Sequence, residues 1–129
     1  MRRLLDTHIW LRSFIDPERL GERTRGELRD LTNELWLSPV STWEALILHD
    51  QGRVYLAPDA GEWITRNTAP FREAALTHEI AAASHFLSLA QRDPADRFLA
   101  ATAKVLDRTL VTADARLLGL GEIATLANR

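Results

Sequence analysis

Four carboxylates in this sequence stand where an element ends or begins. Asp6 closes the apolar run "RRLL", Glu44 lies in "STWEALIL", Asp96 in "DPADRFLAATA", and Asp114 follows "TLVTA". Acids gathered by a fold repel one another and raise one another's pKa, so such a cluster calls for a counter-cation. Oxygen donors with no cysteine and no paired histidine favour a hard ion, Mg2+ or Mn2+ over Zn2+. An ion of that kind polarises a phosphodiester and activates water to attack it.

Singly, each acid has a plainer explanation. Carboxylates near helix starts satisfy free N–H groups and the positive end of the helix dipole. "STWE" reads as a capping box, with Ser41 as cap and Glu44 three residues on. "DPAD" reads as Asp93 capping, Pro94 opening the helix and Asp96 in its first turn. Thr112 or Asp114 suits as cap of the short helix after "TLVTA". The case for chemistry rests on the set. In an open parallel sheet the loops at the carboxyl ends of the strands share one crevice, and ligands bind there. Asp6 and Asp114 open onto that crevice, and Glu44 and Asp96 join them if their helices start at the same edge.

The elements that must do this positioning follow from periodicity and punctuation. Residues 2–5 read as a short buried strand and 7–14 as a helix ending before Pro17. Residues 17–32 suit a mostly exposed helix, with apolar positions only at Leu20, Leu28 and Leu31. A second strand is expected over 34–38 and a helix over 38–52, stopped by Gly52. Residues 53–57 suit a short extended piece, 59–69 a short helix, 72–77 a strand or helix, and 78–91 a helix. The spacing over 93–107 predicts an amphipathic helix with Phe98, Leu99, Val105 and Leu106 on its apolar face. Strand 109–113, short helix 114–121 and a last strand 122–126 complete the chain. Strands alternating with helices imply a three-layer α/β/α fold with a mainly parallel central sheet. With no repeat, low-complexity tract or linker, residues 1–129 read as a single domain.

Composition sets the outer bounds. A chain of 129 residues, 46% hydrophobic and 26% charged, can bury a substantial core, which excludes general disorder. The absence of cysteine excludes disulfides and zinc–thiolate sites. No apolar stretch approaches the ~20 residues of a membrane span. Asp6 and His8 interrupt the N-terminal apolar run, against a signal peptide. A cytoplasmic protein with no membrane association is the expectation. The net charge is −2, yet with the four acids set aside the remainder is net positive. Lys104 is the lone lysine among sixteen basic residues; arginine suits bidentate phosphate contacts, although a codon bias explains its excess equally.

The blocks "LLDTHIWL", "SPVSTWEALIL", "RDPADRFLAATA" and "LVTADARLL", in that order, closely resemble the PIN-domain ribonucleases, specifically the VapC-type toxins of bacterial toxin–antitoxin pairs. The resemblance runs over nearly the whole chain. It implies a parallel sheet with helices on both faces, and Mg2+- or Mn2+-dependent endoribonuclease activity, with structured RNA such as tRNA a frequent substrate. It places Asp6, Glu44, Asp96 and Asp114 at the family's metal-binding acids. Thr112 matches a hydroxyl residue that helps order the site, Arg97 an arginine common after the third acid, and Asp93 a more variable acidic position. It further implies a homodimer, and a small VapB-type antitoxin whose C-terminal segment enters the acidic groove, often with an arginine. Two positions depart from the pattern: Gln91 stands where many relatives have His, and Leu48 where many have Lys. Neither is a metal position.

Other candidates keep two readings. Arg97 either pairs with the site acids or phosphate, or is a solvated helix residue. His8, His49, His78 and His85 lack metal-ligand spacing, and His8 alone is near an acid in sequence. Trp10 and Trp43 are core residues, or walls of a groove on which an RNA base stacks. Two rival functions stay open. One is a phosphotransfer enzyme of the haloacid-dehalogenase sort with Asp6 as nucleophile, disfavoured because His8 stands where its second aspartate belongs. The other is a non-catalytic binding partner whose acids are only helix caps.

Overall fold

The computed structural model describes residues 1–89 and 93–129. Its centre is a sheet of short strands: β1 (Arg2–Leu5), β2 (Glu34–Leu37), β3 (Arg72–Glu73), β4 (Thr109–Thr112) and β5 (Thr125–Ala127). Their order is β3-β2-β1-β4-β5, and each pairing is parallel. Helices α1 (Thr7–Ile15), α2 (Glu22–Arg29), α3 (Pro39–Asp50) and α4 (Ala60–Thr68) lie in the first part of the chain. Helices α5 (His78–His85), α6 (Pro94–Leu106) and α7 (Ala115–Leu118) lie in the second.

Alternation along the strands explains the layers. Successive side chains point to opposite faces, so Leu4 and Leu5 enter different cores. Leu4 packs with Ile80, Ala100, Leu110 and Leu117, under α5, α6 and α7. Leu5 packs with Ile9, Trp10, Leu37 and Val111, under α1 and its neighbours. A parallel sheet buried on both faces needs unbroken apolar runs, as "LL" in β1 and "LV" in β4 supply. The fold is thus the expected three-layer α/β/α arrangement, with the described strands all parallel.

The differences from expectation are local. The region 17–32 is divided: Pro17–Arg19 forms a 3-10 turn and α2 starts only after Gly21. Close approach is the reason. Asn128 accepts the Gly21 N–H at 2.9 Å and donates to the Arg19 carbonyl, and a Cβ on Gly21 would lie 1.5 Å from the Arg129 carbonyl carbon. The stretch 53–57 forms no strand, 72–77 contributes only two strand residues, and the last strand is 125–127 rather than 122–126. Helix α5 stops at His85, and the end of its expected span, including Gln91, lies outside the described residues. On α6 the fully buried face is Ala95, Leu99, Ala100, Ala101, Thr102 and Ala103. Phe98, Val105 and Leu106 are only partly buried, because small side chains let this helix lie close to the sheet. Gly52 does close α3, at φ +71°, the left-handed region that favours glycine.

The strand order creates one further feature. From β1 the chain moves outward through β2 and β3, then crosses to the other side of β1 for β4 and β5. The crevice between the carboxyl ends of β1 and β4 is therefore a topological switch point, the place where open α/β sheets bind ligands.

Candidate metal centre

Asp6 sits at that switch point. Its N–H continues the β1–β4 ladder by donating to the Val111 carbonyl at 3.0 Å, and the residue is 4% exposed. It occupies the cap position of α1, yet its carboxylate makes no cap hydrogen bond. Instead Oδ2 accepts from Thr112 Oγ1 at 2.6 Å, and the same hydroxyl accepts the Asp114 N–H at 3.0 Å. Burial pushes the Asp6 pKa up, and the Thr112 hydrogen bond works against that rise.

Glu44 departs from the capping-box expectation. Helix α3 opens one turn earlier, with Ser38 as cap accepting from the Val40 N–H at 3.0 Å and Pro39 in the first helical position. The Ser-Pro pair is the stronger start, since proline's fixed φ suits that position and its missing N–H costs nothing there. Ser41 is consequently inside the helix, fully buried, and shares a 2.8 Å hydrogen bond with the Thr7 hydroxyl. This bridge ties the start of α1 to α3 and brings Glu44, in the second turn, beside Asp6. Burial raises the Glu44 pKa and the Asp6 charge adds to it, while the Thr7 hydroxyl opposes both. Glu44 Oε1 is buried and has no hydrogen-bond partner among the described residues.

The other two acids come from the far side of the crevice. Asp93 caps α6 by accepting from the Ala95 N–H at 3.0 Å, and Pro94 opens the helix. That leaves Asp96, 9% exposed, in the first turn. Burial first, and then the negative charges of Asp93, Asp6, Asp114 and Glu44, push its pKa up to about 7. One carboxyl thus registers all four other acids. Asp114 caps α7 through the Arg116 N–H at 2.8 Å. Burial works upward on Asp114, but hydrogen bonds from the Arg116 side chain and backbone prevail, and its pKa lies below the usual carboxylate value.

Helix capping therefore accounts for Asp93 and Asp114 but not for the carboxylates of Asp6 and Glu44. Arg97 does something neither of its readings anticipated. Its guanidinium donates to the carbonyls of Leu89 and Ser84, both at 2.6 Å, and to those of His85 and Leu87 at 3.3 and 3.4 Å. It gathers the end of α5 and the residues just after it, 84–89. Trp10 is a core residue, fully buried with Nε1 donating to the Asn67 carbonyl at 3.0 Å, whereas Trp43 is 51% exposed. His8 is exposed and lies near Asp6 and Glu44, where it works to lower the pKa of both acids. Leu48 packs against the core on the α1 side of the sheet.

The donor set fits a hard divalent ion: carboxylate oxygens from α3, α6 and the ends of β1 and β4, one of them buried with no partner among the described residues. Among those residues no three acids or histidines close into a ready-made ligand set. Mg2+ characteristically retains several waters and takes one or two carboxylates directly, so an open arrangement suits it. Sequence reasoning did not single out Thr7 or Arg116, and it read Ser41 only as a helix cap. The available signals were hydroxyls adjoining the acids in "DT" and "STWE", and a basic residue two after the last acid in "DAR".

Comparison with known proteins agrees with this architecture. Residues 3–123 match the PIN domain. Ribonuclease VapC22 of Mycobacterium tuberculosis is 32% identical over 115 residues, covering 88% of each chain. Among solved structures, VapBC2 from Rickettsia felis bound to a DNA fragment from its promoter superposes with a TM-score of 0.73 at 13% identity, over 98% of both chains. FitAcB from Neisseria gonorrhoeae gives 0.73 at 22% identity, over 98% of this chain and 97% of that one. With the family's sequence pattern matched over residues 3–123 and a ribonuclease relative 32% identical over 88% of each chain, the chain belongs to the PIN-domain family.

Proposed function

We propose that this protein is a divalent-metal-dependent endoribonuclease that acts as the toxin of a type II toxin–antitoxin pair. The observation that carries the reading is Asp96, buried at the sheet's switch point and under the charge of Asp6, Glu44, Asp93 and Asp114 together. Like charges so placed raise one another's pKa and favour a bound cation. The family resemblance and the identity to a VapC ribonuclease support RNA as the substrate class and a VapB-type antitoxin as partner. Solved relatives described as toxin–antitoxin complexes support that partnership. A homodimer is part of the same reading. Among the described residues no helix is long and apolar enough to cross a membrane, and the proposed setting is the cytoplasm.

In this reading Asp6, Asp96 and Asp114 hold Mg2+ or Mn2+, with Glu44 offering its unpartnered Oε1 directly or through water. The chemistry such an ion supplies is Lewis-acid polarisation of the phosphodiester and activation of water for in-line attack. The chain's own contribution is placement. Thr112 fixes the Asp6 carboxylate from below, and the Thr7–Ser41 bridge fixes Glu44 relative to Asp6. Asp93 sets the first turn of α6 so that Asp96 faces inward.

The test is cleavage of labelled RNA by the purified toxin, with Mn2+ or with EDTA. Cleavage is expected with Mn2+ and lost with EDTA, and it is expected to disappear in folded Asp6→Asn and Asp96→Asn proteins. Unchanged cleavage in both variants overturns the assignment.

A further inference from the structure

Arg116 holds an unusual place for a basic residue. Its Nε lies 3.3 Å from Asp114 Oδ1 and its Nη2 3.2 Å from Asp114 Oδ2, so the guanidinium grips both oxygens. The same Nη2 lies 4.0 Å from Asp96 Oδ2. One side chain thereby bridges two acids from α6 and the start of α7 that the reading above assigns to metal binding. Among the described residues no other Lys or Arg forms an ion pair with either acid.

We infer that Arg116 is an internal counter-cation that competes with the divalent ion for the oxygens of Asp114 and Asp96. The inference rests on the proposed function, since it takes those acids to be the ion's ligands. The physical ground is that a carboxylate forked by a guanidinium has its oxygens committed to N–H donors, and a metal needs the same lone pairs. Two cations at one point also repel. Loading the ion therefore requires the guanidinium to leave. It can do so at little cost: the side chain is 65% exposed and projects from a helix of four residues, so no core packing is disturbed. Arg116 thus tempers charge repulsion in the metal-free protein and lowers the apparent affinity for metal.

The test is Mn2+ affinity measured by titration calorimetry on the full-length protein, comparing wild type with R116Q, R116K and R2Q. The R2Q variant removes the same charge at the opposite end of β1 from Asp6. R116Q is expected to bind Mn2+ roughly twofold to fivefold more tightly, the size of an exposed ion pair. R116K, which keeps a charge but cannot fork, is expected to fall between, and R2Q to match wild type. The metal-free melting temperature of R116Q is expected to fall while its Mn2+-induced rise grows. Wild-type binding with equal or weaker affinity in R116Q overturns the competition and leaves the metal site standing. Equal tightening in R2Q also overturns it, by reducing the effect to net charge. Absence of Mn2+ binding by any of the proteins at millimolar concentration overturns both this inference and the metal-centre reading.

Discussion

Thr112 Oγ1 donates a 2.6 Å hydrogen bond to Asp6 Oδ2 across 106 residues of sequence, and accepts the Asp114 N–H with its remaining lone pair. The parallel β1–β4 pairing makes this possible, because Leu5 is registered against Val111 and the next residue of each strand must then meet. A hydroxyl here is both donor and acceptor, which a valine of the same shape is not. Thr112→Val is expected to keep the fold and to deprive the ionised Asp6 of a stabilising donor. The loss is about 1.5–3 kcal/mol for a hydrogen bond to a charged group. Metal affinity and RNA cleavage are expected to fall roughly tenfold to a hundredfold, the usual cost of losing a residue that orients a ligand. Thr112→Ser should restore most of both. Equal activity in the valine variant would show that Thr112 is only a strand residue.

Asp6 and Asp96 illustrate a conflict between stability and function. Both are buried with pKa values raised, which means that their charged forms are disfavoured in the metal-free fold. Neutral isosteres relieve that penalty. In EDTA at neutral pH, Asp96→Asn is expected to melt at or above the wild-type temperature while losing cleavage. Adding Mn2+ should then stabilise wild type, by about 2.7 kcal/mol at a hundredfold excess over Kd, and leave the variant unmoved. A destabilised Asp96→Asn protein would indicate that the carboxylate serves the fold.

The pH dependence has a definite sign. Asp96 holds its proton up to about pH 7 in the folded state, against an ordinary value of 3.8. Between those values the native chain binds more protons than the unfolded one, so metal-free stability falls as pH rises through that window. Above it both states are ionised and the penalty stays in full. The raised values of Asp6 and Glu44 act in the same direction. The lowered Asp114 acts oppositely, but only in the acid range below its ordinary value. Urea midpoints taken in EDTA at pH 5 and pH 8 are expected to be higher at pH 5. Asp96→Asn should flatten the slope, and a midpoint that rises with pH in the wild type would contradict the crowding of these acids.

The legible part of this protein was the part governed by local rules. Apolar runs marked β1 and β4, and proline and glycine marked the ends of α3 and α6. Asp6, Asp96 and Asp114 stand at element boundaries as expected, whereas Glu44 lies inside α3, which opens at Pro39. What could not be read was whatever depends on competition between two local signals or on packing from elsewhere. "SPVSTWE" contains two possible helix starts, and only the preference for proline in the first turn decides for Ser38 over Ser41. Gly21 divides a helical pattern because Asn128 and Arg129, over a hundred residues away, pack against it. The apolar stripe of α6 was legible only in part: Leu99 is fully buried and Val105 and Leu106 pack against the core, but the buried alanines count weakly in a periodicity and heavily in a close-packed interface.

Arg97 provides the last prediction. It follows Asp96 directly, so sequence proximity drew it toward the site, yet its guanidinium donates to the carbonyls of Ser84, His85, Leu87 and Leu89. Carbonyls in the last turn of a helix and in the loop after it have no intrahelical partner, and a planar fork with five donors is suited to gathering several at once. Lysine offers a point charge without that geometry. Arg97→Lys and Arg97→Ala are therefore both expected to destabilise the protein, by about 1–3 kcal/mol for the alanine variant. Amide exchange should quicken over residues 84–89, where the carbonyls lose their anchor. Because Arg97 stands on α6 next to Asp96, cleavage should decline with the loosened geometry rather than through a lost phosphate contact. KM for RNA is then expected to change less than kcat. A variant with unchanged exchange and stability but a raised KM would instead place Arg97 on the substrate.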